Sequence, residues 1–490
     1  MANPHPFFML LLLALLHSAA VASPVFTARH NAVYQELLKL KVARGRTLLK
    51  PHLQQEPQNP INLLLANYAD FLELCVQQDQ QKYDALLEAQ EKRLQTLEDL
   101  PVQEVWAKYG QAEVRLQVGL SKVLFGNRLS AAWDIRKAYL KYREIGEQHP
   151  NFTSYKKSLG VLQVLIGSVP DKYKWFLSII GMQGSIKQGM ENLRLAATAN
   201  APFNQEAELL HTVMLHMTAP DQERQALRQV EAIATRQPDN LLFQFAAMHL
   251  LKKTQSSEAA LKTYLNRPKS QEYLSFPYLH HMAADLYLFR GEYAQSVREN
   301  RLFLQLHKGQ HYLKAANYKL YLAYALNGHI PQAQWFLQQI PEVGLEETEE
   351  DRYAAKYALR QEPLVKPLMQ ARLHSDGGYY KEALQALGQL QVNKFTLKAV
   401  QAEYYYRKAR ILHGTDSLRQ ALPLYQKAIA LCQGTDLYFA PSACLQSGYI
   451  YQELRQPDRA RQYFKKALSY RQHEYKNSID SKAKIALSDL

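Results

Sequence analysis

A recurring set of small and aromatic residues constrains the fold of this chain more than any other feature. Its clearest occurrence lies between residues 441 and 470 and contains Gly448, Tyr451, Ala460, Phe464 and Ala467. Two antiparallel helices approach closely only where small residues lie between their axes, and large residues then fill the space beside them. The pattern therefore predicts a helical hairpin.

The same pattern recurs four times upstream, in units that begin at Ala402, Leu364, Lys314 and Pro277. These units contain, in that order, Ala409, Ala421, Tyr425 and Ala428; Ala371, Gly378, Tyr380 and Ala383; Tyr321, Tyr324, Gly328 and Ala333; and Ala284, Tyr287, Gly291 and Tyr293. Equivalent alanines at positions 383, 421 and 460 are 38 and 39 residues apart. Five consecutive matches predict stacked hairpins, each of which buries its apolar face on its neighbours.

The pattern resembles the tetratricopeptide repeat, with units longer than the usual length of about 34 residues. The resemblance implies an all-α, right-handed superhelical solenoid of tetratricopeptide-like helical hairpins. In such solenoids the first helix of each unit lines a concave groove, which binds a protein or peptide partner. The frame places in this groove Tyr278, His281, Asp285, Tyr318, Arg372, Glu403, Tyr406, Arg410, His413, Tyr449 and Gln452.

The N-terminal residues have the features of a signal peptide. Residues 7–16 are apolar, and the small residues Ala20, Val21 and Ala22 follow as a cleavage site. We therefore predict a signal peptide at 1–22, an N-terminal helical region at 23–100, divergent repeats at 101–270 and a C-terminal array at 271–490. Export would place the protein in the periplasm or cell envelope.

The net charge of +14 permits contact with anionic partners. It is spread along the chain, however, and a solvated helical surface explains it equally well. Export argues against a nucleic-acid partner, so we expect none.

An apolar insert at 161–184 separates the two helices of one divergent repeat. Leu159 and Gly160 precede it, Gly181 and Gly184 close it, and the repeat resumes at Gly189. This order, over roughly 40 residues, resembles the inclusion-body-clearance proteins and the tetratricopeptide-repeat protein thirty-nine group. The resemblance implies a non-enzymatic protein, here in a secreted, bacterial-type version.

Two interpretations of the insert remain open. As an added helix it would pack into the solenoid. Alternatively, Trp175, Phe176, Ile179 and Ile180 would contact a membrane surface or line a ligand pocket. The charged Asp171, Lys172 and Lys174 prevent the insert from spanning a bilayer.

The sequence lacks the common catalytic motifs. No nucleotide-binding glycine loop or nucleophile elbow is present, and the cysteines and histidines lack metal-ligand spacing. We therefore predict a non-catalytic scaffold without cofactor or metal. A disulfide between Cys432 and Cys444 is left open, and the acidic residues within 342–351 are interpreted as a solvated turn.

Overall fold

The computed structural model describes residues 24–100, 104–169, 180–219, 222–360, 363–488 and 490, so the predicted signal peptide lies outside it. These residues form 24 α-helices and no strand. The first twelve are α1 (Ala28–Leu38), α2 (Val42–Gln55), α3 (Pro60–Gln77), α4 (Gln80–Glu98), α5 (Val105–Leu124), α6 (Arg128–Gln148), α7 (Tyr155–Gly167), α8 (Ile186–Thr198), α9 (Asn204–Thr218), α10 (Glu223–Arg236), α11 (Leu241–Lys253) and α12 (Ser257–Asn266).

The other twelve helices are α13 (Pro277–Arg290), α14 (Tyr293–Leu306), α15 (Leu313–Leu326), α16 (Ile330–Gln339), α17 (Glu349–Arg360), α18 (Lys366–Asp376), α19 (Tyr380–Gly388), α20 (Lys398–Gly414), α21 (Leu418–Leu431), α22 (Phe439–Glu453), α23 (Pro457–Ser469) and α24 (Lys476–Ser488). Consecutive helices pair as antiparallel hairpins, except that α17 and α24 have no partner helix of their own. The five units predicted from the repeats are α13–α14, α15–α16, α18–α19, α20–α21 and α22–α23, which confirms the all-helical solenoid.

Close contact between paired helices explains the small residues of the pattern. A Cβ atom added to Gly448 of α22 would lie 2.4 Å from the ring of Phe464 on α23. Ala460, Phe464 and Ala467 are fully buried beside it. Any side chain larger than hydrogen at 448 would therefore push the two helices apart.

In the divergent hairpin around the insert, the close contact is between the two backbones. A Cβ atom added to Gly160 of α7 would lie 2.8 Å from the carbonyl oxygen of Gly189 on α8, and one added to Gly189 would lie 2.5 Å from that of Gly160. Gly189 therefore lies within α8, which begins at Ile186, and residues 161–167 of the predicted insert belong to α7. Of the four residues singled out in the insert, Trp175, Phe176 and Ile179 lie outside the described residues. Ile180 packs against the N-terminal core, and its carbonyl oxygen accepts a hydrogen bond from Arg136.

The N-terminal half winds into a closed turn around one core, which extends from Val33 to Leu250. Rings of Tyr34, Tyr68 and Tyr109 surround Phe203, with centroids 4.7, 5.9 and 5.8 Å from its own. The turn closes where the N–H of Leu274 donates to the carbonyl oxygen of Leu40 at 2.8 Å. A repeat array needs only local cores, but here the interior of the first superhelical turn is filled.

The C-terminal half folds back on itself. After α16, the loop at 341–348 leads into the unpaired α17, and α18 then packs against α13 rather than continuing the stack from α16. The hydroxyl of Tyr380 donates to Gln255 at 2.7 Å, which joins α19 to the turn between α11 and α12. The reversal leaves α17 facing the interior and opens a cleft beside it.

Candidate functional site: the cleft of the C-terminal array

Three cavities meet at Tyr353 of α17 and form what we term the cleft. The largest, about 240 Å³, extends towards α13 and α15. A second, about 110 Å³, reaches α18 and α20, and a third, about 180 Å³, lies along the outer side of α17. Residues 473–477, which run from the connection after α23 into the first turn of α24, border all three.

The structure buries much of the predicted groove. His281, Asp285, Tyr318 and Tyr406 are buried, and the half-buried residues are Tyr278, Arg372, Glu403, Arg410, His413, Tyr449 and Gln452. Asp285, Tyr318, Arg372 and Glu403 line the cleft.

Two predicted groove residues are enclosed by packing and need correction. His281 is fully buried against the rings of Tyr278 and Phe303, at 5.6 and 4.8 Å, so a partner cannot reach it in this conformation. Tyr406 packs on Phe439, and its hydroxyl lies 2.8 Å from that of Ser442. Phe303 of the second helix α14 and Tyr312, just before α15, pack over His281, and Phe439 of α22 packs over Tyr406.

Ion pairs fix the wall of the largest cavity. Lys319 lies 2.8 Å from Asp285 and 3.0 Å from Glu350, and Lys252 pairs with Asp285 from the other side. His281 contacts Glu350 at 3.0 Å. The wall therefore joins α11, α13, α15 and α17 through one charged network.

The charged network fixes the protonation states of its members. Burial alone would raise the pKa of Glu350, but Lys319 and His281 outweigh burial and hold this pKa well below its usual range. Lys252 and Lys319 likewise outweigh burial and lower the pKa of Asp285. Burial and the charge of Lys319 lower the pKa of His281. Near neutral pH, Glu350 and Asp285 therefore stay ionised and His281 stays neutral, which suits positioning better than proton transfer.

The acidic segment 342–351 is not simply a solvated turn. Glu342, Glu346 and Glu347 are exposed as expected, but α17 begins at Glu349 and Asp351 is fully buried. The Asp351 carboxylate accepts hydrogen bonds from the N–H groups of Tyr312 and Ala315, at 2.7 and 3.0 Å. It thereby caps α15, whose N-terminal N–H groups favour a negative charge.

Three arginines stand on the first helices α18 and α20, and two of them, Arg372 and Arg407, line the cleft. Arg372 of α18 donates to the hydroxyl of Tyr353, and Arg407 of α20 donates to Tyr438 at 2.6 Å and Glu403 at 3.1 Å. Arg410 of α20 donates to the amide oxygen of Gln446. Arg372 also lies 3.7 Å from the Asp376 carboxylate. A guanidinium group has five N–H donors, so each of these arginines can still pair with an incoming carboxylate or phosphate.

The remaining predicted residues lie beyond the cleft. His413, Tyr449 and Gln452 occupy α20 and α22 outside the three cavities, and Tyr449 packs edge-on against Phe464. Cys432 and Cys444 are buried as free thiols. Sequence reasoning did not identify Tyr353 and Glu350 as site residues, because α17 belongs to no repeat. The available signal was the tyrosine pair at 353 and 357, in a helix whose first turn is acidic.

A second charged cluster lies in the N-terminal core. Lys157 is 1% exposed and bonds to Glu113 at 2.8 Å, Glu206 at 3.0 Å and the hydroxyl of Tyr68. The hydroxyls of Tyr142 and Ser158 donate to the second oxygen of Glu113. Each polar atom of the ammonium and of Glu113 has a partner, so the cluster is a closed structural network.

Comparison with known proteins supports the repeat assignment. The tetratricopeptide repeat family matches residues 402–434 and 441–474. These stretches begin at Ala402 and Pro441, where the last two units predicted from the sequence start. The chain therefore carries tetratricopeptide repeats in its C-terminal array. Comparison with curated protein sequences finds no match.

Several solved structures resemble the whole chain distantly. The human IFIT1 dimer with PPP-AAAA is 15% identical over 93% of this chain and 92% of its own, with a TM-score of 0.35. Cut9 with Hcn1, an APC/C hetero-tetramer, is 13% identical over 92% and 89%, at 0.29. The quorum sensor NprR from B. thuringiensis is 11% identical over 90% and 97%, at 0.28. Values this low leave the function to be judged from the chain's own residues.

The described residues contain neither a metal-binding cluster nor a membrane-spanning helix. No group of three histidine, cysteine or acidic side chains there could hold a metal ion. Among the helices of the same residues, none is long and apolar enough to cross a membrane.

Proposed function

We propose that this chain is a non-catalytic protein-interaction scaffold whose cleft binds a peptide segment of a partner protein. The observation that carries the proposal is the lining of the cleft, where arginines and tyrosines from α17, α18 and α20 converge on open space. Tyrosine and arginine supply much of the binding energy in protein interfaces, because each offers a large rigid surface with hydrogen-bonding atoms. The charged network behind them keeps this wall rigid.

Photo-crosslinking tests the proposal at one position. A benzophenone amino acid replaces Asp376, which lines the largest cavity and has a side chain that is 43% exposed. The matched control carries it at Lys465, an exposed residue on the second helix α23. We expect position 376 to capture a defined protein in the producing cells and position 465 to capture none. Equal capture from both positions, or none from 376, would contradict a role for the cleft.

We also propose that the mature protein acts in the periplasm or cell envelope. The apolar residues 7–16 and the following Ala20 and Ala22 support export. N-terminal sequencing of the protein from fractionated cells should give a start near Ser23 in the envelope fraction. A retained Met1 in the cytoplasmic fraction would refute this part of the proposal.

An exposed apolar face gives a second candidate function, attachment to a membrane surface. Leu129 and Trp133 lie one turn apart on α6 and are 84% and 59% exposed. Arg136, beside Trp133, holds Ile180 at the end of the insert. Aromatic and aliphatic side chains next to a cation suit the headgroup region of an anionic membrane.

Vesicle sedimentation separates this candidate from the first. Trp133→Glu should abolish binding to vesicles that contain an anionic lipid. Trp335→Glu, at a tryptophan that is 54% exposed on α16, should leave that binding unchanged. If the protein does not bind such vesicles, or if both variants lose binding equally, the face around Trp133 does not attach the protein to a membrane.

A further inference from the structure

Residues 473–477, which we term the strap, fill the position where a ligand of the cleft would lie. The strap follows the last repeat and crosses the point at which the three cavities meet. It therefore divides one continuous cleft into separate spaces. A peptide that entered the cleft would have to take its place.

The strap makes the contacts of a peptide ligand through two consecutive side chains. The Glu474 carboxylate, 8% exposed, pairs with Arg360 at the end of α17. The ring of Tyr475 stacks on Tyr353, with centroids 5.8 Å apart, and meets Tyr438 edge-on at 5.1 Å. An acidic group thus meets an arginine while the adjacent aromatic ring enters a slot between two tyrosines.

The strap is held less firmly than the repeats beside it. Tyr475 has a φ of 59°, a left-handed conformation that costs a bulky residue free energy. The following α24 packs chiefly on α22 and α23, and its fully buried residues are only Ile479, Ala483 and Ala486. Burial and the nearby positive charges of Arg410 and Lys253 lower the pKa of the Lys482 ammonium on α24.

We propose that the strap is an internal ligand, and that the partner peptide carries an acidic residue followed by an aromatic one and binds by displacing it. The proposal rests on the function proposed above and names the chemistry of the ligand at that same cleft. The acidic side chain of the partner pairs with Arg360, and its ring replaces Tyr475 between Tyr353 and Tyr438. Because the internal ligand is tethered, it competes at a high effective concentration until a partner is abundant or multivalent.

The decisive experiment supplies the strap as a separate molecule. A fluorescent peptide of residues 470–481 is titrated against the intact chain and against the Glu474→Ala, Tyr475→Ala double variant, with anisotropy as the readout. We expect the double variant to bind at least tenfold more tightly than the intact chain. The same peptide with alanine at 474 and 475 should not bind, and adding Arg360→Ala to the variant should abolish binding.

Two controls keep the result interpretable. Arg471→Ala with Gln472→Ala alters exposed residues just before the strap and should leave binding at the level of the intact chain. Hydrogen exchange on the intact chain gives an independent measurement, in which excess peptide should accelerate exchange at 473–477 but not within α22. The proposal is overturned if the folded double variant binds no peptide, if the alanine peptide binds equally, or if exchange at 473–477 does not change.

Failure of this proposal differs from failure of the scaffold function. Partner capture from position 376 without peptide binding would leave the scaffold and remove the internal ligand. Peptide binding without any partner captured at position 376 would retain the strap contacts but contradict the scaffold function.

Discussion

The two halves of the chain use the same helical hairpin but fill the inside of their superhelical turns differently. In the N-terminal half, aromatic side chains and the cluster around Lys157 occupy the interior, and every hydrogen-bonding atom of that lysine is satisfied. In the C-terminal half, the buried side chains form several smaller clusters, and cavities remain between first helices. A filled turn stabilises itself, whereas an open one leaves polar and aromatic groups available for a ligand.

Removal of the N-terminal cation should have the largest effect on this contrast. Burial alone would lower the pKa of Lys157 and raise that of Glu113, but their ion pair outweighs burial in both cases. Lys157→Met would leave the buried Glu113 and the half-buried Glu206 without a counter-charge, at a cost of about 3–5 kcal/mol in the free energy of unfolding. Denaturant titration measures it, with the half-buried Lys156→Met as the matched control. Equal losses of unfolding free energy in the two variants would show that the cluster around Lys157 does not stabilise the N-terminal half.

Acidification should weaken the part of the C-terminal half that surrounds His413. Burial lowers the pKa of His413 to about 4, below the usual value of 6.5. The unfolded chain therefore binds this proton first, so the contribution of His413 is complete above pH 6.5 and is lost as pH falls towards 4. The linkage predicts a loss of about 2 kcal/mol between pH 7 and pH 5.

The variant His413→Asn removes this proton-binding site and should flatten the pH dependence of unfolding by that amount. The exposed His329→Asn serves as the control and should not change it. Hydrogen exchange should also show the array from α20 to α22 opening at pH 5 before α5 to α7 do. A uniform acid response along the chain would remove this part of the comparison.

Glycine substitutions compare how tightly hairpins pack in each half. The Cβ of Gly160→Ala would meet a backbone oxygen of α8, which cannot move without shifting the helix. The expected cost is about 1–2 kcal/mol after the gain in helix propensity. Gly388→Ala, at a helix end where no atom lies within 4 Å of the added Cβ, should be neutral or slightly stabilising. Thermal unfolding of both variants checks the ranking, and a destabilised Gly388→Ala would contradict it.

The smallest effect is expected at an ion pair that joins the two halves. Arg128 at the start of α6 pairs with Glu347 in the loop before α17, and both side chains are substantially exposed. Water and salt screen such a pair, so a double-mutant cycle with Arg128→Ala and Glu347→Ala should give a coupling of about 0.2–1 kcal/mol. A larger coupling would mean that the two halves are docked more firmly than this exposed ion pair indicates.

The repeats themselves were predictable, because their signal is local. Gly448, Phe464 and Ala467 have spacings set by the helical period and by the contact between two adjacent helices. The same reasoning assigned Gly160 to a first helix and Gly189 to the helix after the insert, but only the structure shows how closely the two approach. Positions in the cleft were only partly predictable: Arg372 and Glu403 line it, but His281 and Tyr406 are covered by neighbouring helices.

By itself, the sequence determined the hairpins, their order and which face of each first helix turns inward, since these follow from contacts between residues close in the chain. Only the tertiary structure decided what that inward face encloses. The fold-back at α17 brings Tyr353 to Arg372, and the strap brings Glu474 to Arg360, across 19 and 114 positions of the chain. Such contacts depend on the rotation between successive repeats, summed over many of them. The spacing of residues within one repeat does not reveal that rotation.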